Sequence, residues 1–484
     1  MNTQLFSEAL SGINDKYINE AIQYKKKQKN TSWIKWASIA ACACLVISFG
    51  TFVLTTTNTQ PECGNADGSG YNAGASFMSY AGPLFPLTTL ETAEGIEAER
   101  NIDFDFSSEK WKNITVHDSY TLTNTTDRDI TVTAVYPYTS SFYTVSPPTV
   151  TVDGVETDTM LHSGMYNLGN DISSWEGYKA LFADGSYMKD AFEDYPILDE
   201  KVTVYQISDV TYKGDDHLAT APTLRVSCNI DYDKTAILTY GFNGGSYDRE
   251  KGYWNGDFFV EGEWWNKDMD YYMIVVGDDI GEYTVQGYRN GSCYPYDKID
   301  SISANVERYE TTFGEILKTI TGAYYDFMAV YYDESDFADN ITFDMYYGEL
   351  CRFFDRYGIP DGYPGDRFEE ISMAAVFRKR VLYHSFRLTV PAGGSSEICI
   401  NLPKEASYDY YGGSNKNVGV EGYDMVTCLG STLNFTAQSA SLTNFENIET
   451  VGQNFGFGLE KGITQVQLDL SQEYYYLDIK RTKS

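Results

Sequence analysis

The chain has 484 residues, with 69 Asp and Glu against 36 Lys and Arg and a formal net charge of −33. Such acidity repels phosphate backbones and excludes nucleic acid as a partner, whereas cationic ligands or divalent ions match it better; its plainest role is solubility. The length excludes a peptide hormone or a small toxin and leaves room for two or three domains with cores of their own.

Taken in chain order, the first stretch, LFSEALSGINDKYINEAIQYKK, places Leu5, Phe6, Ala9, Leu10 and Ile13 on one helical face. After Asp15, Ile18, Ala21 and Ile22 fall on another. Helices this short do not fold alone, so residues 1–32 must dock on the membrane surface or in a cytoplasmic protein groove. The candidate partner-binding residues are Leu5, Phe6, Leu10, Ile13, Ile18 and Ile22.

A basic patch, Lys25, Lys26, Lys27, Lys29 and Lys35, then meets 19 uncharged residues from Trp36 to Leu54, which as a helix span about 28 Å, close to the thickness of a bilayer core. Trp33 and Trp36 sit at the interfacial edge, and the lysines set that end in the cytoplasm. Residues 33–56 are therefore expected to be a single transmembrane helix, with the amino terminus inside and the rest of the chain outside the cell. The nearest A-x-A triplet beyond the block, Ala73-Gly74-Ala75, lies about 20 residues past it, too far for signal-peptide cleavage. Ile39-Ala40-Ala41-Cys42 has the form of a lipoprotein box, but the chain stays apolar through Leu54. Buried, inert Cys42 and Cys44 are the expectation, with lipidation of Cys42 as the alternative. Residues 1–36 hold six Lys and three Asp or Glu, which leaves 30 basic and 66 acidic residues beyond them. The charge changes sign at the membrane.

Phe6, Ala9, Ile13, Asp15, Ile18, Glu20 and Ala21, followed by KKK and WIKWASIAACACLVI, resemble the start of a group of single-pass membrane proteins of Firmicutes laid out like anti-sigma factors. The likeness covers about the first 50 residues, and YYMIVVGDDIGEYTVQGYRNG further on is similar to outer domains of the same group. It implies an inner segment that holds a cytoplasmic partner, an extracytoplasmic-function sigma factor, and an outer domain that meets a signal. The chain departs from well-defined anti-sigma factors in having no inner His/Cys zinc motif.

Residues 57–100 read as a flexible stalk, because the segment NTQPECGNADGSGYNAGAS is rich in Gly, Asn, Ser and Ala and has no period. Residues 101–305 read as a β-sandwich-like region. Alternating apolar and polar residues flank the turn NTTDRD, and Pro137, Pro147, Pro148 and Asp153-Gly154 cut the chain into short strands. Helical spacing near 171–193, with Ser173 and Glu176 in capping-box register, predicts an insertion. YYMIVVGDDIGEYTVQGYRNG predicts a hairpin turning near Asp278 to Gly281. Residues 306–380 carry two helical patterns, the second ended by Gly358 and Pro360, and residues 381–484 return to strands. The expected fold is thus mainly β (α+β): an N-terminal transmembrane helix followed by Ig-like or sandwich-type β domains with helical insertions. No repeat of fixed period points to a solenoid or propeller.

Chemistry leaves little trace. The chain has no nucleophile elbow, zincin motif, EF-hand loop, phosphate loop or dinucleotide fingerprint, and Ser107-Ser108-Glu109-Lys110 has S-x-x-K spacing without a later S-D-N or K-T-G. His117, His162, His217 and His384 lie far apart, and Cys63, Cys228, Cys293, Cys351, Cys399 and Cys428 match no metal spacing and could pair in 15 ways. Asp333, Asp336 and Asp339 lack the Gly and closing Glu of a calcium loop. No metal, cofactor or catalytic group is expected. The densest unusual stretch, YWNGDFFVEGEWWNKDMDYY, interleaves Trp254, Trp264, Trp265, Tyr271 and Tyr272 with carboxylates and amides, a pattern suited to sugar rings or cationic peptide groups. The competing reading is that the rings fill a β core. Two functions follow: a membrane-anchored surface sensor or regulator, or an anchored binding or adhesion module whose inner segment only sets topology.

Overall fold

A computed structural model describes residues 82–108, 112–163, 195–213, 221–260, 270–331, 337–359, 367–377, 379–409 and 418–482. The expected inner segment, the transmembrane helix at 33–56 and the helical insertion near 171–193 lie outside these residues. Among the described residues no helix is long and apolar enough to cross a membrane.

The chain is mainly β, in several sheets. It opens with β1 (Thr88–Thr89), β2 (Ile96–Asp105), β3 (Asn113–Asn124), β4 (Ile130–Ser140), β5 (Thr149–Val152), β6 (Val155–Glu156) and β7 (Met160–Ser163). A second run holds β8 (Lys201–Tyr212), β9 (Thr223–Asn229), β10 (Thr235–Tyr240), β11 (Gly244–Asp248), β12 (Tyr253–Phe259), β13 (Tyr271–Gly277), β14 (Tyr283–Tyr288), β15 (Lys298–Ile299) and β16 (Ile302–Thr312). Helices α1 (Phe313–Tyr331), α2 (Phe337–Asn340), α3 (Phe343–Tyr357) and α4 (Phe368–Phe377) follow. The chain closes with β17 (Arg380–Val390), β18 (Ser395–Glu405), β19 (Tyr408–Asp409), β20 (Val420–Val426), β21 (Asn434–Thr443), β22 (Ile448–Gln453), β23 (Gln465–Gln467) and β24 (Tyr474–Arg481).

The first and last runs share their sheets. A seven-stranded sheet runs β23-β21-β2-β3-β18-β5-β6, and β2 pairs in parallel with β21 over Glu97–Asp105 and Asn434–Thr443. A four-stranded sheet, β1-β4-β17-β7, and another, β19-β20-β24-β22, bury their apolar residues in the same core. The middle run forms two more sheets, β10-β13-β8-β16 and β11-β12-β9-β14-β15, with a second core between them.

Local signals placed the turns but not the partners. β3 and β4 flank NTTDRD, yet β3 pairs with β2 and β18 while β4 pairs with β1 and β17. The hairpin expected over 271–291 is not one either: β13 pairs with β10 and β8, and β14 with β9 and β15. These turns carry the chain from one layer to the other, as sandwich corners do. The expected helices are present as α1 and α3. Thr342 caps α3, its side chain accepting from the Met345 N–H, and Gly358 ends it at φ +73°, a backbone conformation that favours glycine.

β13 is buried on both faces, which explains its nearly unbroken apolar sequence. Tyr272, Ile274 and Val276 face the first core, with Val202, Val204, Leu238 and Tyr240. Tyr271, Met273 and Val275 face the second, with Tyr205, Ile207 and Ile237. One sheet is therefore a wall of both cores. Truncating Ile274 or Met273 to Ala is expected to cost about 2–5 kcal/mol each. Both variants should shift the same main transition in urea; two transitions that respond separately would show the cores to be independent.

Candidate functional site

Trp254, Tyr271 and Tyr272, the described candidates of the aromatic stretch, do not form an outward face. Trp254 is 2% exposed and lies in the second core; Tyr271 stacks on Phe258 in the same core, with centroids 3.7 Å apart and planes 15° apart. Tyr272 packs on Tyr240 in the first core. Alternation along β12 turns Tyr253, Asn255 and Asp257 the other way, but these bond to protein. Asp257 Oδ2 accepts from Arg225 Nη2 at 2.6 Å, and Asn255 Nδ2 donates to Ser246 Oγ at 2.6 Å. Trp264 and Trp265 lie outside the described residues, as do Leu5, Phe6, Leu10, Ile13, Ile18 and Ile22.

The molecule instead concentrates its buried polar chemistry where residues 82–89 enter the fold. This strap lies within the stretch expected to be stalk, yet Leu84, Phe85, Leu87, Thr88 and Thr89 are all buried. Leu84 N–H donates to Asp424 O at 2.7 Å, and Val426 N–H donates to Leu84 O at 3.0 Å. Leu87 N–H donates to the Tyr120 hydroxyl at 3.0 Å, Ser431 Oγ donates to Leu87 O at 2.6 Å, and Thr89 N–H donates to Thr432 Oγ1 at 3.0 Å.

Beneath the strap lies an ion pair with both side chains fully buried, Arg100 on β2 and Asp118 on β3. Arg100 Nε and Nη2 donate to Asp118 Oδ1 and Oδ2 at 2.8 and 2.7 Å. Tyr120 and Tyr136 add their hydroxyls to Oδ2 at 2.8 and 3.1 Å. Burial works against the Arg100 charge, but Asp118 more than offsets it and the guanidinium pKa rises. The remaining donors hold the strap and its neighbour: Nη2 reaches Phe85 O at 3.1 Å and Nη1 reaches Val426 O at 3.0 Å. The bidentate fork of arginine suits this task, since one side chain must satisfy a carboxylate and two carbonyls at once.

A second cluster joins the strap's first residue to the C-terminal sheet. Ser407 Oγ donates to Gly82 O at 2.7 Å and accepts from Asp424 N–H at 3.1 Å. Lys404 Nζ lies 3.4 Å from the same oxygen and donates to Glu405 O at 2.6 Å. Asp478 Oδ1 accepts from the Tyr408 hydroxyl at 2.5 Å, and the Tyr408 ring lies over Gly422, where an added Cβ would fall 2.1 Å from it. Both Asp424 carboxylate oxygens are buried without a well-formed hydrogen bond. Burial pushes the Asp424 carboxyl up to about 8, with Tyr474 beside it pulling down and Asp478 pushing up. Burial also pushes Asp478 up to about 6 and Lys404 down to about 7.

A lysine of lowered pKa beside a serine hydroxyl is the pattern of a base and its nucleophile. Here the Ser407 proton is committed to the Gly82 carbonyl, and the hydroxyl is fully buried. The geometry fits a fastening, not an attack. No motif marks the cluster in sequence; its one signal is the acid in otherwise core-like strands, Asp424 in VEGYDMV and Asp478 in YYYLDIKR.

The other sequence candidates are dispersed. His384 is buried on β17 with Nδ1 2.7 Å from Thr159 Oγ1, and burial pushes it down to about 4. His162, on β7, bonds to Ser385 on the opposite face of that sheet. His117 is exposed, with Nδ1 2.5 Å from Asn401 Oδ1. Cys228, Cys293, Cys351, Cys399 and Cys428 are free thiols. Asp339 is exposed on α2, and among the described residues no group of three or more His, Cys, Asp or Glu is placed to hold a metal ion.

No family model matches the chain, and no curated protein matches its sequence. Three solved chains match in structure. One, from Legionella pneumophila, is described as a "putative nutrient binding protein"; it is 8% identical, with 83% of this chain and 72% of that one covered, and the TM-score is 0.27. A likeness of that size carries no argument about this chain.

Two measurements check the polar centre. Removing Asp118 as Asp118→Ala leaves Arg100 buried and unpaired, and is expected to cost about 3–5 kcal/mol in urea unfolding; a loss below 1 kcal/mol would contradict the pairing. The raised Asp424 pKa means that the folded state favours the neutral acid, so this group's contribution is present at low pH and is lost as pH rises from about 4 through 8. Asp424→Asn should therefore gain stability relative to the parent between pH 5 and pH 8, and a constant difference would rule out the raised pKa.

Proposed function

We propose that the chain is a membrane-anchored bacterial surface sensor: residues 1–32 inside, 33–56 spanning the membrane, and an extracellular region built of sandwich-type β layers that meets an envelope signal by binding, not catalysis. The inner segment would hold a cytoplasmic regulator of the sigma-factor class through Leu5, Phe6, Leu10, Ile13, Ile18 and Ile22. The observation that supports this reading is the strap. Residues 82–89 are fastened to Arg100, Tyr120, Ser407 and Ser431 in the buried centre. A change in packing at that centre acts directly on the segment that leads back toward the anchor.

The test compares full-length protein with a version lacking residues 2–24, both expressed in the native host. Loss of target-gene control with unchanged surface display is the expected result. Unchanged control after the deletion would reject the sensor and leave an anchored binding module, whose inner segment serves only as a topology signal.

A further inference from the structure

We propose that the fastening of the strap at Gly82 is a proton-operated latch, which the side chains of Asp424 and Asp478 hold shut while neutral and loosen when they ionise. That the proton is the signal met by the outer region rests on the sensing role; the latch itself does not need it. Three ionisable side chains lie buried around the point where the strap is tied: Asp424 on β20, Asp478 on β24 and Lys404 on β18. The strap bonds to this point through main chain and through Ser407. Leu84 N–H donates to Asp424 O, while Ser407 Oγ joins Gly82 O to Asp424 N–H with Lys404 Nζ 3.4 Å away. Register sets Asp478 opposite Gly422 and Asp424 opposite Tyr476, so the two carboxylates are diagonal neighbours on one face of β20 and β24. Both oxygens of Asp424 and Oδ2 of Asp478 are buried without a well-formed hydrogen bond.

Among the described residues, the other titratable groups facing the pair are Tyr408 on β19, which donates to Asp478, and Tyr474 and Tyr476 on β24. Glu405 and Lys379 stand beside Lys404 and pair with each other, and Glu421 of β20 is turned to the opposite face, where it meets Arg481. Strap residues 82–89 carry no ionisable side chain. Two acids therefore face one amine, and ionising both acids puts negative charge in excess where burial makes charge costly. Undocking the strap relieves that cost, because it admits water at Ser407 and Asp424. Burial raises Asp424 to about 8 and Asp478 to about 6, and lowers Lys404 to about 7. The signs oppose each other. The two carboxyls favour docking at low pH, an effect lost as pH rises through 6 and 8, whereas Lys404 favours docking at high pH, an effect lost as pH falls through 7. With two acids against one base, docking takes up protons between pH 5 and pH 7, so the strap weakens over that interval and levels off above it.

The experiment is hydrogen exchange on the full-length protein in detergent micelles at pH 5 and pH 7.5, with rates corrected for the intrinsic rise of exchange with pH. At pH 5, with the latch shut, the amides of Leu84 and Leu87 are expected to be as protected as those of Met273 and Ile274. At pH 7.5 their protection is expected to be about tenfold or more below that of β13, while staying far above that of an open chain. Asp424→Asn, which cannot ionise, should reduce this loss at least threefold; Asp478→Asn is measured in the same way and decides if the first variant does not fold. Strap protection that keeps pace with β13 at both pH values, or a loss that is unchanged in the folded variants, would overturn the latch. Because this readout needs no partner of residues 1–32, the latch can fail while the sensing role stands, and that role fails on its own if deletion of residues 2–24 leaves target-gene control unchanged.

Discussion

The constraint on which the rest of the structure depends is that one sheet must satisfy two cores. In β13, alternate side chains of six buried residues point into different apolar interiors, so the strand cannot shift by one residue without exchanging both sets of contacts. A fully buried aliphatic or aromatic side chain contributes about 1.5–3 kcal/mol, and both faces draw on that term. The middle run is thus continuous with the body formed by the two ends of the chain. That body is itself closed by the parallel pairing of β2 with β21, which brings residues near 100 beside residues near 440.

Within this apolar frame the buried charges are concentrated in a few places, each with a directional task. Arg100 and Asp118 gain little net stability from attraction alone, because both were taken out of water. Their arrangement has a geometric consequence: the guanidinium has donors left over, and these fix the carbonyls of Phe85 and Val426. Ser407 does the same for Gly82. The strap therefore depends on polar contacts that tolerate little displacement.

The sequence disclosed the fold class through period. Strict alternation around 113–123 became β3, with its even-numbered residues buried, and helical spacing became α1 and α3, with Gly358 ending the latter. Pairing partners were not legible, because a turn such as NTTDRD has the same local chemistry whether its strands pair with each other or enter opposite layers. Trp254 and Tyr271 were ambiguous for a related reason: they are as suited to a core as to a ligand, and only the partners across the sheets decide. The near-continuous apolar run YYMIVV carried the better signal, since burial on both faces is what such a run implies. The strap and its polar fastenings left almost no trace, because several of them join residues more than 300 positions apart, such as Gly82 and Ser407.

The most direct test of this account is hydrogen exchange on the full-length protein, comparing the amides of Leu84, Leu87 and Thr89 with those of Met273, Ile274 and Val275. If the strap is part of the cooperative body, both groups exchange in the slowest class, through global unfolding. Strap amides that exchange rapidly while β13 stays protected would show a frayed entry segment and contradict the coupling proposed between the buried centre and the anchor.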